Sequence, residues 1–401
     1  MAPVESCESV PGRLSGAVPV RRLWGAVLCG YLALGGTLQE LPGYLVERFG
    51  AGPALTGLAV GLAFAATALG RPFAGLAGDA GWSRPVTVLG AGLTTVGALG
   101  HLLAPTVGVV LVARLVMGAG EAALFSGALP WVLSGTPAGR GGRVAGWFGL
   151  SMWGGLAIGP LLAVAAHRVG GAAAVWWLVA ALPLVSTVLV ASTRRPGRGS
   201  GAPVRLRSWR DLVPRGAGLP GLCLGLAAYG YGTLGALLVL YLGGQHVGGQ
   251  QVGGRHIGGE SVALTVYAAA FLLTRGAGSP LIDRFGGARV AGVVLGLAVA
   301  GLALLAAVPL EAAALVGTAL AGVGLGLVYP ATAAMTLHRT ARSPGLAVAA
   351  MTSLWDLGIL AAGPIGGVLA GHLGYRSAFA VAAGVVGLAL VIPLGLARSA
   401  G

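Results

Sequence analysis

The sequence predicts an all-α membrane protein of twelve transmembrane helices in two pseudo-symmetric six-helix bundles, with both termini cytoplasmic. Three observations predict it. Of 401 residues, 56% are hydrophobic and only 9% are charged, whereas a soluble domain carries about 25% charged residues. The chain therefore lacks the polar groups to coat a soluble globule. Apolar stretches recur at the length of about 20 residues that crosses a bilayer core, and twelve of them leave about 33 residues per span and connection. Motifs of the first half also return in the second at one fixed offset.

Hydropathy places the spans near 23–44, 54–74, 85–104, 108–133, 144–166, 172–192, 219–242, 260–280, 289–308, 312–337, 346–371 and 377–397. Residues 1–20 lack an apolar core and read as a cytoplasmic tail, so the first span itself directs insertion. The first bundle covers 21–192, a basic Pro/Gly-containing linker 193–218, the second bundle 219–397, and a short cytoplasmic tail 398–401.

Orientation follows from the charges. All 25 basic residues are Arg, and the net charge is +14. With the N-terminus inside, 20 of them fall on the cytoplasmic side or at adjoining helix ends, among them Arg71, Arg84, Arg143, Arg275, Arg284 and seven from Arg194 to Arg215. Arg48, Arg168, Arg255 and Arg376 fall opposite, and Arg114 alone lies within a span. An excess of 20 over 4 marks the cytoplasmic face of a cell-membrane protein. Arg residues spread over seven segments do not form a nucleic-acid surface; attraction to anionic lipid is a secondary effect. Cys7, Cys29 and Cys223 have no metal-ligand spacing and form no disulfide framework.

The repeat is explicit. Asp79 and Asp283, each with an Arg eight residues earlier, are 204 apart; so are Gly118-x-Gly120 and Gly322-x-Gly324, and Gly159-Pro160 and Gly363-Pro364. Three motifs at one offset indicate internal duplication. Gly36-Thr37-Leu38 and Gly232-Thr233-Leu234 are only 196 apart, so about eight residues entered between spans 7 and 8. There G-G-Q-H-V, G-G-Q-Q-V and G-G-R-H-I run in tandem from Gly243 to Ile257. Repeated Gly pairs make a flexible external loop, and His246 and His256 are not read as a metal site.

These residues resemble the major facilitator superfamily over about Arg21 to Arg398. Its loop motif between spans 2 and 3, G-x-L-x-D-R-x-G-R-R/K, appears as Gly75, Asp79 and Arg84, with Ala80 and Trp82 in place of the usual Arg and Gly. The second copy keeps Asp283, Arg284 and Gly286 and has Ser279 at the leading Gly. An Asp at a helix end accepts terminal N–H groups or pairs with Arg, so both copies are expected to latch the cytoplasmic face; Arg84 and Arg289 also fit a solvated turn. In span 5, Gly155-x-x-x-Gly159-Pro160 is similar to the antiporter motif of drug and metabolite exporters, with a fuller copy at Gly363-Pro364. The resemblance implies two bundles rocking about a midplane site and favours export, although these glycines and prolines also serve plain packing.

Three of the eleven acids fall in or near the bilayer: Glu40, Glu121 and Asp356. A buried carboxylate can load and release a proton as access alternates. Glu121 shares a helix face with Gly118 and Arg114, and Arg114 matches the span-4 motif R-x-x-x-G-x-G, associated in the superfamily with proton transfer. Glu121 is the expected proton carrier tuned by Arg114; a structural Arg114–Glu121 pair is the alternative. Asp356, whose 204-offset equivalent is Met152, is expected to couple protons or substrate, or to pair with Arg114 or another helix. Glu40 reads as a hydrated interfacial acid or a gate.

The resemblance places the cavity between spans 1, 4, 7 and 10, offering Tyr31, Thr37, Gln39, Glu40, Ser126, Tyr229, Tyr231 and Tyr329, a lining suited to an amphiphilic organic molecule. Anionic cargo would need clustered intramembrane Arg or Lys, and the sequence reading finds only Arg114. No metalloprotease, nucleotide or His–Asp catalytic motif is present, so neither an enzyme nor an ATP-driven pump is expected, and no cofactor or metal. The expected protein is a monomeric proton-coupled exporter of a small organic molecule such as a drug or secondary metabolite. Proton symport of a sugar or organic acid is the second reading and a non-transporting sensor the third.

Overall fold

The computed structural model describes residues 18–51, 53–137, 140–193, 212–244, 259–340 and 343–398. Cys7, most of the basic linker, and the tandem Gly-pair segment with His246 and His256 lie outside them. The described residues contain helices and no strand. In order these are α1 (Val20–Phe49), α2 (Pro53–Ala77), α3 (Ser83–Leu102), α4 (Val107–Ser134), α5 (Gly141–Ala191), α6 (Arg215–Gly244), α7 (Gly259–Ala277), α8 (Ser279–Phe285), α9 (Gly287–Ala307), α10 (Glu311–Gly326), α11 (Val328–Arg339), α12 (Pro344–Leu373), α13 (Tyr375–Ala389) and α14 (Val391–Arg398). Among the described residues, eight helical stretches are long and apolar enough to cross a membrane. Two of them, Leu58–Leu102 and Arg143–Ala191, have 45 and 49 residues, about twice what one crossing needs.

The breaks have local causes. Between α2 and α3, residues Gly78–Trp82 form a π-helical turn in which Gly81 takes φ 89°, a left-handed value that a side chain resists. Spans 5 and 6 join in α5, where Gly170 and Gly171 leave helical geometry. Expected span 10 breaks at Leu327 into α10 and α11, which puts Pro330 in the first turn of α11, where its missing N–H costs nothing. The second bundle starts earlier than expected, because α6 already begins at Arg215, inside the expected linker.

Packing repeats the duplication. In the first half α1 lies on α5, and α3 and α2 on α4; in the second, α6 lies on α12, and α9 and α7 on α10. Gly118 of α4 packs so tightly on α2 that a Cβ would fall 2.3 Å from the Ala63 carbonyl oxygen, and its equivalent Gly322 would meet the Tyr267 carbonyl oxygen at 2.7 Å. Tyr267 is itself 204 residues beyond Ala63. The halves meet where α2 packs on α12 and α5 on α7 and α11. That interface holds the Arg71–Asp356 pair and the contact of Arg275 with Trp153.

Candidate functional site

Arg71 of α2 and Asp356 of α12 form an ion pair across the interface, both almost fully buried. Arg71 Nε donates to Asp356 Oδ2 and Nη2 to Oδ1 at 3.3 Å, a two-pronged contact that satisfies both carboxylate oxygens. Asp356 thus pairs with Arg71 and not with Arg114. Arg71 and Arg275 are buried, at 2% and 1% exposure, although Arg275 stands in the last turn of α7. Arg114 is therefore not the lone guanidinium inside: three are buried among the described residues. Burial is tolerated because each finds partners. Arg71 has Asp356, and Arg275 donates Nη1 to the Gly326 carbonyl at 3.1 Å while facing aromatic rings. Removing these two from the 20 leaves 18 Arg against 4, so the charge asymmetry persists.

Arg114 donates Nε to the Ala59 carbonyl at 3.0 Å and Nη2 to that of Val60 at 3.2 Å. Those α2 carbonyls hold it, which corrects the reading of a direct Arg114–Glu121 pair. Glu121 is fully buried on α4, and neither carboxylate oxygen has a hydrogen-bond partner among the described residues. It lies within the electrostatic field of Arg114, Arg71 and Asp356, and its backbone carbonyl accepts from the Tyr31 hydroxyl at 3.3 Å. A buried carboxylate without a donor is costly as an anion and far less so as a neutral acid.

The expected cavity residues separate into four places. Tyr231 and Tyr329 join a ring cluster with Trp153, Tyr267, Phe271 and Trp355, in which Trp153 and Trp355 meet edge to face at 4.3 Å. Tyr31 and Thr37 of α1 are buried against α4, with Thr37 donating to its own helix at Ala33, and Ser126 of α4 is buried with no hydroxyl partner among the described residues. Tyr229 is buried on α6 outside the described ring cluster, although next but one to Tyr231. Gln39 and Glu40 line a cavity of about 300 Å³ with Gly43, Tyr44, Glu47, Val164, His167 and Arg168. Glu40 lies 20 residues beyond the start of α1, about 30 Å along the helix. The Glu40 side chain is mostly buried and meets His167 Nδ1 at 3.1 Å, so it is not simply a hydrated acid.

Asp79 acts as a helix cap supplied from the other half. Ser343 precedes α12 without a side-chain cap of its own, and Pro344 opens the helix. The next two amides, Gly345 and Leu346, donate to Asp79 Oδ1 at 2.9 Å and Oδ2 at 2.7 Å. A capping side chain would serve these positions from within the helix. Close approach requires Gly75, where a Cβ would stand 2.6 Å from the Gly345 carbonyl. Burial pushes the Asp79 carboxyl up to about 6, against the lowering effect of the two amides. Arg84 caps the end of α5 instead of lying in a solvated turn: Nε donates to the Thr193 carbonyl at 3.1 Å and Nη2 to that of Ala191 at 2.9 Å.

The second copy differs. By the 204 offset Asp283 should meet Gly141 at the start of α5. It is half-exposed and stands 4.0 Å from Arg143, so the two copies differ in partner, backbone amides for Asp79 and an Arg for Asp283. Arg284 lies over the Phe285 ring at 5.1 Å, and Gly286, at φ 83°, turns the chain between α8 and α9.

The antiporter-like glycines also divide. A Cβ on Gly155 would fall 2.6 Å from Tyr31 Cβ and one on Gly159 2.5 Å from the Leu32 carbonyl, while Pro160 lies against Gly35. Gly363 has nothing within 4 Å, and α12 makes its close approach to α6 through Gly358 instead. Pro364 lies within α12.

Arg71, Arg275, Trp153, Trp355, Phe271 and Tyr267 were not singled out as site residues from the sequence. The signal was present, since each latch Asp is preceded at eight residues by one of the two Arg, about two helical turns inward.

Repeated helical halves meeting over buried charges define a multi-pass membrane protein of the secondary-transporter class. A profile of the Major Facilitator Superfamily matches residues 23–258 and 221–399. An uncharacterized MFS-type transporter of Burkholderia pseudomallei is 31% identical over 409 residues, covering 96% of this chain and 95% of its own. One of Salmonella typhimurium is 30% identical over 383 residues, covering 92% and 94%. The solved structure of the transporter FucP in its outward conformation superposes with a TM-score of 0.71 at 16% identity, covering 94% of this chain and 98% of that one. The chain belongs to the Major Facilitator Superfamily and is a membrane transporter.

Proposed function

We propose that the protein exports a small organic molecule, of the drug or secondary-metabolite kind, in exchange for protons. It does so as a monomer of twelve crossings in the cell membrane, with both termini cytoplasmic. Crossing twice with each of the two longest helical stretches, and once with the α10–α11 and α13–α14 pairs, is consistent with that count. The surplus of Arg on the face bearing the α2–α3 turn supports the orientation.

The observation that carries the coupling reading is Glu121, buried between charged neighbours with no donor to either oxygen among the described residues. As a neutral acid it is at ease in this arrangement. When the opposite face opens and hydrates the site, the anion becomes affordable and the proton leaves. Asp356 holds Arg71 across the interface, so opening α2 from α12 must break or carry this pair. Gly155 and Gly159 let α1 lie on α5 at backbone contact, consistent with the exporter-associated motif acting through packing.

The test is everted-vesicle or proteoliposome exchange with a substrate panel. Substrate-induced collapse of an imposed ΔpH is expected in wild type and lost in Glu121→Gln at equal expression. Undiminished pH-driven exchange in Glu121→Gln would remove Glu121 from the mechanism. Substrate accumulating down the proton gradient would instead identify the importing symporter.

A further inference from the structure

Contacts between α1 and α5 advance in step along both helices. Trp24 donates Nε1 to the Trp147 carbonyl, a Cβ on Gly155 would meet Tyr31, one on Gly159 would meet Leu32, and Glu40 meets His167. The first part of α5 therefore runs parallel to α1. Both end at one place, α1 at Phe49 and the first part of α5 where Gly170 and Gly171 leave helical geometry. The opposite end is marked by Arg22, in the first turn of α1, and by Arg84, just after the turn that holds Asp79. Both donate to carbonyls at the far end of α5, Arg22 to Ser192 and Arg84 to Ala191 and Thr193. Glu40 is about 30 Å along α1 from its start, so the cavity beside it lies at the end remote from Asp79.

Two parallel helices bring two negative dipole ends to that place, and helix C-termini favour cations. The side chains act in the same direction. Glu40 and Glu47 stand seven residues apart on one face of α1, with Tyr44 between them, and all three line the cavity. Arg168 supplies the guanidinium of the lining, while Arg48 lies over the Tyr44 and Phe49 rings at 5.4 and 5.5 Å. Two carboxylates against one guanidinium leave the lining one negative charge in excess when the His167 imidazole is neutral. Glu40 is the buried carboxylate, with its side chain 10% exposed, and His167 Nδ1 stands 3.1 Å from each of its oxygens. A single imidazole N–H satisfies only part of a carboxylate that takes about four donors.

We propose that this cavity binds a small protonated amine, its ammonium group donating to Glu40 in competition with a proton on His167. An ammonium brings three donors and one positive charge, which matches both the open acceptor sites of Glu40 and the excess charge of the lining. An anion would face two carboxylates and two helix C-termini. A shared metal ion does not fit, because Glu40 and Glu47 are about 10 Å apart along the helix axis, and no group of three metal-ligating side chains is suitably placed among the described residues. The cavity volume of about 300 Å³ suits a small molecule. A second proton on His167 makes an imidazolium that balances Glu40 by itself, whereas a bound ammonium takes that role and leaves the imidazole neutral. The other groups facing the pair are Tyr44, Glu47 and Arg48 of α1 and Arg168 of α5; imidazole is the side chain that changes charge near neutral pH. In the orientation proposed above this end faces outward, where acidity releases the amine. The assignment goes beyond the exporter reading and depends neither on Glu121 nor on the direction of transport.

The test is equilibrium binding to the purified full chain in nanodiscs, using radiolabelled butylamine and phenethylamine beside the matching alcohols and carboxylates. Measurements at about pH 8 and about pH 5.5 fall on either side of the range in which imidazoles change charge. At the higher pH at least one amine is expected to bind saturably, about tenfold or more tighter than its alcohol or carboxylate, and to weaken about tenfold at the lower pH. Glu40→Gln should weaken amine binding by about 10- to 100-fold, the range set by one charged hydrogen-bonded contact. The exposed Glu47 should matter less, with Glu47→Gln costing about fivefold or less. His167→Asn should keep the binding seen at high pH and lose its pH dependence. If Glu40→Gln does not fold, Gly43→Leu provides the comparison: Gly43 lines the cavity with open space around it, so a Leu side chain there should fill the site and block binding without disturbing the helix packing. No saturable binding by either amine, equal affinity for amine and alcohol, or unchanged amine affinity in the folded Glu40 and Gly43 variants would overturn the assignment. Amine binding in wild type that does not change with pH would overturn the competition with His167. Binding is read without transport, so failure of the ΔpH assay leaves these expectations in force, and failure here leaves proton-coupled export standing.

Discussion

Glu121 and Asp356 are both buried carboxylates, yet they have opposite surroundings. Asp356 accepts two donors from Arg71, and Glu121 accepts none from the described residues. Replacing Asp356 with Asn leaves Arg71 charged and uncompensated, which should cost about 3–5 kcal/mol and show as a clear fall in the melting temperature of detergent-purified protein. The double change Arg71→Met with Asp356→Leu should recover most of that stability, because removing both charges avoids their desolvation. Exchange activity should not return with it. Glu121→Gln has the same shape as the neutral acid, so stability should stay within about 1 kcal/mol of wild type while proton coupling is lost. A melting curve and a ΔpH assay on the same preparations separate these outcomes.

Helices in this protein are positioned by where backbone can approach backbone. Gly118 permits α4 to lie on α2, and a Cβ there would overlap the Ala63 carbonyl at 2.3 Å. Gly118→Ala should therefore destabilise by about 1–3 kcal/mol through overpacking. Gly363→Ala, with open space around it, should be neutral or stabilising by up to about 1 kcal/mol, since Ala is the better helix former. Comparing their melting temperatures tests whether a motif glycine's cost on substitution follows from the backbone contact it makes. The α12 N-terminus offers a further element-scale test, because its cap comes from Asp79 in another half. Asp79→Ala should weaken this contact by about 1 kcal/mol, as for loss of an ordinary helix cap, measured as faster alkylation of a cysteine placed at the α2–α12 junction.

For the whole molecule, the same latch predicts a pH dependence. The Asp79 carboxyl is pushed up to about 6 when latched, against about 4 for a hydrated Asp. A proton therefore binds more tightly to the latched arrangement than to the opened one, and linkage favours latching as pH falls from about 7 toward 4 on that face, the gain being lost as pH rises through about 6. Junction-cysteine alkylation should slow across that window in wild type and be flat with pH in Asp79→Asn. The second copy, with Asp283 half-exposed beside Arg143, should contribute little: Asp283→Asn is expected to change the profile by no more than about 1 kcal/mol, as for an exposed pair. This inequality distinguishes one end state of a two-state machine, in which one half-interface is capped and its pseudo-symmetric counterpart is not.

Composition, span length and a 204-residue repeat in the sequence were enough to determine a duplicated helical membrane protein with an Arg-rich face, because water and bilayer act on every residue by local polarity. They also singled out Asp79, Glu121 and Asp356, since a carboxylate near apolar helices is rare. What stayed hidden was partnership. Arg71 and Arg275 looked like helix-end charges, for a long side chain near the end of an apolar stretch can reach water or turn inward, and hydropathy does not distinguish the two. Only the tertiary structure decided that Arg71 meets Asp356 across 285 residues of chain, that Arg114 turns to α2 carbonyls instead of Glu121, and that rings from both halves close on Arg275. Such pairings are set by which helices cross at which depth, and that is fixed by close packing between segments far apart in sequence.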